Sequence, residues 1–380
     1  MTRQLQGQLT RLCGLDWWSR QQAIAELVSR PKEEYIGHLE EGLRNHDDAS
    51  IRNVSMEVYC ALGPAALTSL RMLIRDDDPE VRLFTVNILG WIGDGGALDI
   101  LSSSIRDPDV NVRIASAESL GRIRDPRALE VLESALDDDT WVAMAAINAL
   151  GNIGGGGSLD ILYRCLGREG YQKITINALE KAGNRNSIQH LASCFADTGL
   201  RETALGAIVR VGEKEGVRLK PEYFANLVPM LVEMADSRDP ETRKNALTAL
   251  CWSRDITGLS YLIEGVRDSE LQEHAIEGLL NVGRKAVCAI VDEMKVSTGS
   301  HRPMLAKVLA MLGENKALLQ FAADQDPEVR SEVAIALGSV DLKRARTALE
   351  RMLSDPCVEV RHAARKGLSI FDNDKGMKLK

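Results

Sequence analysis

Aromatic residues are scarce in this 380-residue chain, where Phe, Trp and Tyr together make up 4%. That scarcity argues against a large β-sandwich or barrel, whose strands favour aromatic and β-branched residues. No apolar run approaches the roughly 20 residues that span a bilayer. The opening stretch, MTRQLQGQLTRLCGLDWW, lacks the apolar segment of a secretory signal. Positive charge is not in excess either. The net charge is −8 and the pI about 5.5, whereas a grip on a phosphate backbone needs a positive field. Nucleic acid is therefore disfavoured as the main partner, while a local basic patch stays compatible with the balance. The seven cysteines (Cys13, Cys60, Cys165, Cys194, Cys251, Cys288 and Cys357) form no C-x-x-C pair. Their odd count and wide spacing fit reduced thiols in a cytoplasmic protein better than a disulfide framework.

What the chain does hold is Leu, Ala, Ile and Val, within an apolar content of 44%. That mixture packs helix against helix at short distance. One phrase recurs: aspartate, two variable residues, a β-branched residue, arginine. It reads Asp48 to Arg52, Asp78-Pro-Glu-Val-Arg82, Asp109-Val-Asn-Val-Arg113, Asp239-Pro-Glu-Thr-Arg243 and Asp326-Pro-Glu-Val-Arg330. Asp139 keeps the aspartate without the arginine, and Cys357-Val-Glu-Val-Arg361 does the reverse. The phrase spells a helix start, with aspartate accepting orphan backbone amides and proline suiting the first helical position. After it, Val81, Phe84, Ile88, Leu89 and Ile92 line one helical face. Glycines follow such runs at Gly63, Gly90, Gly121, Gly151, Gly183, Gly212, Gly283, Gly313 and Gly338, and each is expected to end its helix. A second helix follows, marked by Leu98/Leu101/Ile105, Leu129/Leu132/Leu136, Leu159/Leu162/Leu166 and Leu259/Leu262/Val266.

The period is about 31 residues. Helix pairs of this length bury their apolar stripes only by stacking, so an all-α, right-handed α-α superhelix of about a dozen pairs is expected. One continuous solenoid is anticipated over 1–371, with an N-terminal cap over about 1–47, repeats over 48–371 and a flexible polar tail at 372–380. The pairs are placed at 16–47, 48–76, 77–106, 107–137, 138–167, 168–197, 198–235, 236–266, 267–294, 295–324, 325–354 and 355–371. Residues 213–222 lengthen one turn, and 295–303 replace a cap with a polar, flexible stretch; each is read as a hinge, a contact loop or a tolerated insertion.

The phrases DPEVR, DPDVNVRIASAESLGRIRDPRALEVLESALDD and DPEVRSEVAIALGSV resemble the prokaryotic HEAT repeats named after phycobilin lyases. That resemblance implies an α-solenoid, and its members include chromophore lyase subunits, deoxyhypusine hydroxylase and many scaffolds, so the fold alone assigns no activity. The hydroxylase's iron site resembles paired His-Glu ligands on repeat helices. Here Glu273 precedes His274, His362 precedes alanine, and none of the six histidines is followed by glutamate. That enzyme is excluded, and each histidine is read as a surface or helix-end residue. A bilin lyase subunit or chromophore chaperone remains an alternative, disfavoured by the shortage of rings to sandwich a tetrapyrrole. A nucleic-acid-binding HEAT protein ranks lower still.

No catalytic, cofactor or metal residue is proposed. The glycines at 154–157 and 93–96 lack the Gly-Lys-Ser/Thr ending of a phosphate loop and read as turns. The repeated arginines are expected to pair with a neighbouring repeat's acid as a stacking ladder. Two columns stand out as partner contacts. Trp91, Arg122, Asn152 and Trp252 share the repeat position that follows the turn position, and Trp and Arg are enriched at binding hot spots. Asp99, Glu130 and Asp160 follow the first leucine of three second helices, with Tyr163 nearby. On a concave face they would form a negative groove for a basic or helical protein segment. Trp17 and Trp18 are expected to cover the first repeat, and Trp141 to be an exposed anchor. The function expected is a non-enzymatic scaffold or adaptor that binds protein partners.

Overall fold

The computed structural model describes residues 9–215, 227–338 and 343–377, and side chains up to residue 370 apart from 343. Those residues hold helices and turns and no strand. Contacts divide the chain into two compact bodies, 1–207 and 208–380. In the first body the helices are α1 (Trp17–Val28), α2 (Ile36–Leu43), α3 (Ala49–Leu62), α4 (Leu67–Leu73), α5 (Pro79–Ile92) and α6 (Leu98–Ser104). There follow α7 (Val110–Ile123), α8 (Leu129–Ser134), α9 (Thr140–Ile153), α10 (Gly155–Cys165), α11 (Gln172–Ala182) and α12 (Ser187–Ser193). The division falls within α13 (Arg201–Lys214). The second body carries α14 (Val228–Ala235), α15 (Pro240–Ser253), α16 (Leu259–Gly265), α17 (Gln272–Val282) and α18 (Val287–Val296). It ends with α19 (Arg302–Met311), α20 (Asn315–Leu318), α21 (Pro327–Leu337), α22 (Lys343–Met352) and α23 (Val358–Met377). Among the described residues two of these helices fall in each repeat placed from the sequence, with α18 running two residues past its bound at 294, and one falls in the last.

The aspartates cap as their positions require. Asp48, Asp78, Asp109, Asp139, Asp239 and Asp326 each accept a backbone N–H two or three residues on. The arginine one turn later closes the joint between repeats. Arg82 Nε and Nη2 donate to both oxygens of Asp107 at 2.8 and 2.9 Å, and its Nη1 to the carbonyl of Asp76 at 2.9 Å. Arg330 repeats this on Asp355 at 2.8 Å twice, with the carbonyl of Asp324 beneath it. Arg113 reaches Asp138 by one bond of 3.0 Å. Each receiving acid also turns its own loop: Asp107 accepts from the N–H of Asp109, and Asp355 from that of Cys357. The acid pairing of the ladder is present at Arg82, Arg113 and Arg330, while Arg52 and Arg361 donate only to loop carbonyls.

Gly90, Gly121, Gly151 and Gly212 do not end helices; they lie within them. The first three are the points where consecutive first helices approach closest. A Cβ on Gly90 would stand 2.6 Å from Ser119 Cβ, on Gly121 2.7 Å from Ala149 Cα, and on Gly151 2.8 Å from Ala178 Cβ. Gly278 on Cys251 and Gly338 on Gly367 repeat the arrangement in the second body. The helices end three residues after the contact position instead, in the left-handed or positive-φ region, at Gly93, Arg124, Gly154 and Arg254. For the two arginines this conformation is unfavourable, because a Cβ crowds the backbone there. Arg124→Gly should therefore raise stability by about 1 kcal/mol, read as a higher urea midpoint. A lowered midpoint would mean that the Arg124 side chain makes a compensating contact.

Three further expectations need correction. Trp17 and Trp18 do not cover the first repeat; they are 67% and 65% exposed, one ring tilted on the other. The stretch 295–303 is no loose insertion, because it ends in a built joint. His301 is buried, its Nε2 lies 3.0 Å from Glu293, and buried Arg302 bonds the carbonyl of Met294 and both oxygens of Asp324. His301 is therefore a buried helix-end residue, the N-cap of α19, and not a surface one. Arg302 takes the ladder arginine's part although the sequence phrase is missing. Of the stretch 213–222, residues 216–222 lie outside those described.

Candidate interaction surface

Second helices of consecutive repeats lie side by side in the first body and present the acidic column, Asp99 and Glu130 in the first turn of their helices and Asp160 in the second turn of its own. Asp99 on α6, Glu130 on α8 and Asp160 on α10 are all exposed. Arg71 on α4 grips Asp99 with two bonds of 2.5 and 3.0 Å, and these bonds hold the Asp99 carboxyl below its ordinary range. Glu130 and Asp160 make no ion pair among the described residues. Arg164 of α10 crosses to Glu133 of α8, so the row carries basic as well as acidic groups. Tyr163, half-buried, donates to or accepts from Ser187 Oγ at 2.9 Å. Its ring stacks on His190 of α12 with centroids 3.7 Å apart and planes 8° from parallel. The structure thus sets a flat aromatic pair one turn from Asp160, a neighbour the sequence reading missed.

The other column is less uniform. Trp91 sits in the last turn of α5, not on the turn after it, and is 54% exposed. Arg122 is exposed and donates to Glu118 at 3.3 Å and to Ser119 Oγ at 3.4 Å in its own helix. Asn152 is half-buried. Trp252 is half-buried and lies in the second body. Trp141, at the start of α9, is 68% exposed, as an anchor would be.

Burial pushes the thiol of Cys60 up to about 11 and that of Cys251 up to about 12, so both stay protonated at neutral pH. No group of three or more His, Cys, Asp or Glu among those residues is placed to hold a metal ion. No helix among them is long and apolar enough to cross a membrane.

Residues 66–142 and 315–378 match the family model for HEAT repeats. The fold is a HEAT-repeat α-solenoid. No curated protein matches the sequence. Among solved structures, human deoxyhypusine hydroxylase in complex with glycerol is 21% identical, with 82% of this chain and 98% of that chain covered and a TM-score of 0.29. The complex of CpcE and CpcF of phycocyanin lyase from Nostoc sp. is 16% identical, covering 64% and 93% at a TM-score of 0.34. Kap121p bound to Ste12p is 16% identical, covering 96% of this chain and 44% of that one at 0.49.

Proposed function

We propose that this chain is a non-enzymatic scaffold or adaptor that holds a protein partner on the second-helix face of residues 98–165. We place its repeats with the phycobilin-lyase-like class on the phrases beginning Asp78 and Asp109. The observation that carries the proposal is the row Asp99, Glu130, Asp160, exposed at one register position on three adjacent helices, with two of its carboxylates unpaired. Such a row suits a basic or helical segment, because like positions on stacked helices present charge at regular intervals. Tyr163 on His190 adds a rigid ring surface beside it, of the kind enriched at binding hot spots.

The test is affinity capture with the wild type and with the triple variant Asp99→Lys/Glu130→Lys/Asp160→Lys. A partner taken from cell extract should bind the variant at least about tenfold more weakly, and the wild-type complex should loosen as salt rises. All three sites are exposed, and a surface ion pair such as Arg71–Asp99 is worth about 1 kcal/mol or less, so the variant should remain folded. A partner that binds both forms equally would sink the acidic-row assignment.

A further inference from the structure

In the second body, a groove of about 1150 Å³ lies where the short α20, continued by the turn Leu319–Phe321, stands beside the ten-residue α22. Its lining mixes apolar Leu319, Ala348 and Met352 with the cations Lys316, Arg344 and Arg351. All three cations are exposed, and none makes an ion pair among the described residues. Arg330 also borders the groove but is neutralised by its two bonds to Asp355.

The repeat register shows that an acid present in the first body is absent here. In the first body the acidic column stands eight residues before the loop acid: Asp99 before Asp107, Glu130 before Asp138. The same place before Asp355 is Thr347. The carboxylate that grips Arg71 in one repeat is therefore missing in this one. Residues 340–380 hold ten Lys and Arg against six Asp and Glu, in a chain whose net charge is −8. The cationic groove is a local reversal of the chain's overall sign.

We propose that this groove docks an acidic amphipathic peptide segment of a partner protein, carboxylates on Lys316, Arg344 and Arg351, apolar side chains against Leu319 and Met352. Rows of cations alone would suit any polyanion, but a phosphate backbone offers nothing to bury against the apolar lining, whereas alternating acidic and apolar side chains meet both. The proposal rests on the scaffold reading and gives that scaffold a second place of opposite charge.

The test uses the full-length protein and a labelled peptide of Glu and Leu in helical register, about 12 residues or three turns long, with a Lys-for-Glu counterpart as control. Fluorescence anisotropy should show saturable, salt-sensitive binding of the Glu/Leu peptide. Arg344→Glu/Arg351→Glu should weaken it at least about tenfold and gain affinity for the Lys counterpart. Both residues are exposed, so an unchanged helical circular dichroism spectrum accompanies the loss. Failure of the peptide to bind, equal binding by the variant, or stronger competition by a DNA duplex than by the unlabelled peptide overturns the groove assignment. The Asp99→Lys/Glu130→Lys/Asp160→Lys protein should bind the Glu/Leu peptide as the wild type does. Equal partner capture by the wild type and this triple variant, with peptide binding intact, therefore removes only the acidic row, and failure of the wild type to bind the peptide, with partner capture weakened in the triple variant, removes only the groove.

Discussion

Gly121→Val should destabilise the first body by about 3 kcal/mol, the upper end of what overpacking costs in a filled interior. The cause is geometric. A Cβ on Gly121 would stand 2.7 Å from Ala149 Cα and 2.8 Å from its Cβ, and part of the obstacle is the backbone of α9, which cannot rotate aside. Valine adds two methyl groups where even one carbon does not fit, so α7 and α9 must separate and lose contact along much of their length. Hydrogen exchange should quicken across 110–165, and the urea midpoint should fall. Gly156 provides the internal control. It lies in α10 with nothing within 4 Å of a built Cβ, so Gly156→Ala should be neutral or stabilising by up to about 1 kcal/mol through helix propensity alone. If the two substitutions shift the midpoint alike, the close approach at Gly121 is not what fixes the spacing of the repeats.

These glycines mark where reading from sequence stopped. The caps were legible because an aspartate, a proline and an arginine at fixed spacing act locally on one helix end, and the arginine ladder followed from the same phrase. Whether a glycine near a helix end terminates it or touches another helix is not local. Gly121 meets Ala149, 28 residues away, and only stacking brings them together. The clue was a matching column of small residues, Ser119, Ala149 and Ala178, the first two standing two residues ahead of Gly121 and Gly151. Of the terminators three residues later, Gly93 and Gly154 read as turns from the sequence, whereas Arg124 and Arg254 do not, because arginine rarely turns left-handed. Arg302 was missed for a related reason. It keeps the ladder arginine's bonds to a loop acid without the capping aspartate that would announce it. Of the candidate contacts, the acidic column was visible as register, since the second helices share a leucine pattern. The Tyr163–His190 stack and the groove at Arg344 and Arg351 depend on which helices are neighbours and on one being short.

Asp107→Ala should cost about 3 kcal/mol or more, because it leaves Arg82 in place without the carboxylate that holds it. Both side chains are nearly enclosed, 11% and 8% exposed, so water replaces the lost partner poorly. Removing Asp107 also frees the N–H of Asp109, which it accepts at 2.9 Å. What remains for Arg82 is a pair of loop carbonyls, those of Asp76 and Asp77. The ladder's rungs should rank by enclosure. Arg113–Asp138 is a single bond with 19% and 29% of its side chains exposed, and Arg113 Nε is buried without a partner, so Asp138→Ala should cost less. Replacing both members of the tight rung, Arg82→Met/Asp107→Leu, should cost less than Asp107→Ala, since no charge is then stranded. Urea titrations of the four proteins decide the order, and a double variant worse than the single one would show that shape, not charge pairing, holds the joint. Acid provides the independent check through Asp355, the same rung in the second body. Bonds from Arg330 hold its carboxyl below the ordinary range, against the opposing push of burial. A depressed native pKa stabilises above the unfolded value, about 3.9, and that stability is lost as pH falls through the native one. Asp355→Asn should therefore flatten the decline in stability below about pH 4 while lowering stability at neutral pH. An acid limb as steep in the variant as in the wild type would place the acid sensitivity elsewhere than in the ladder.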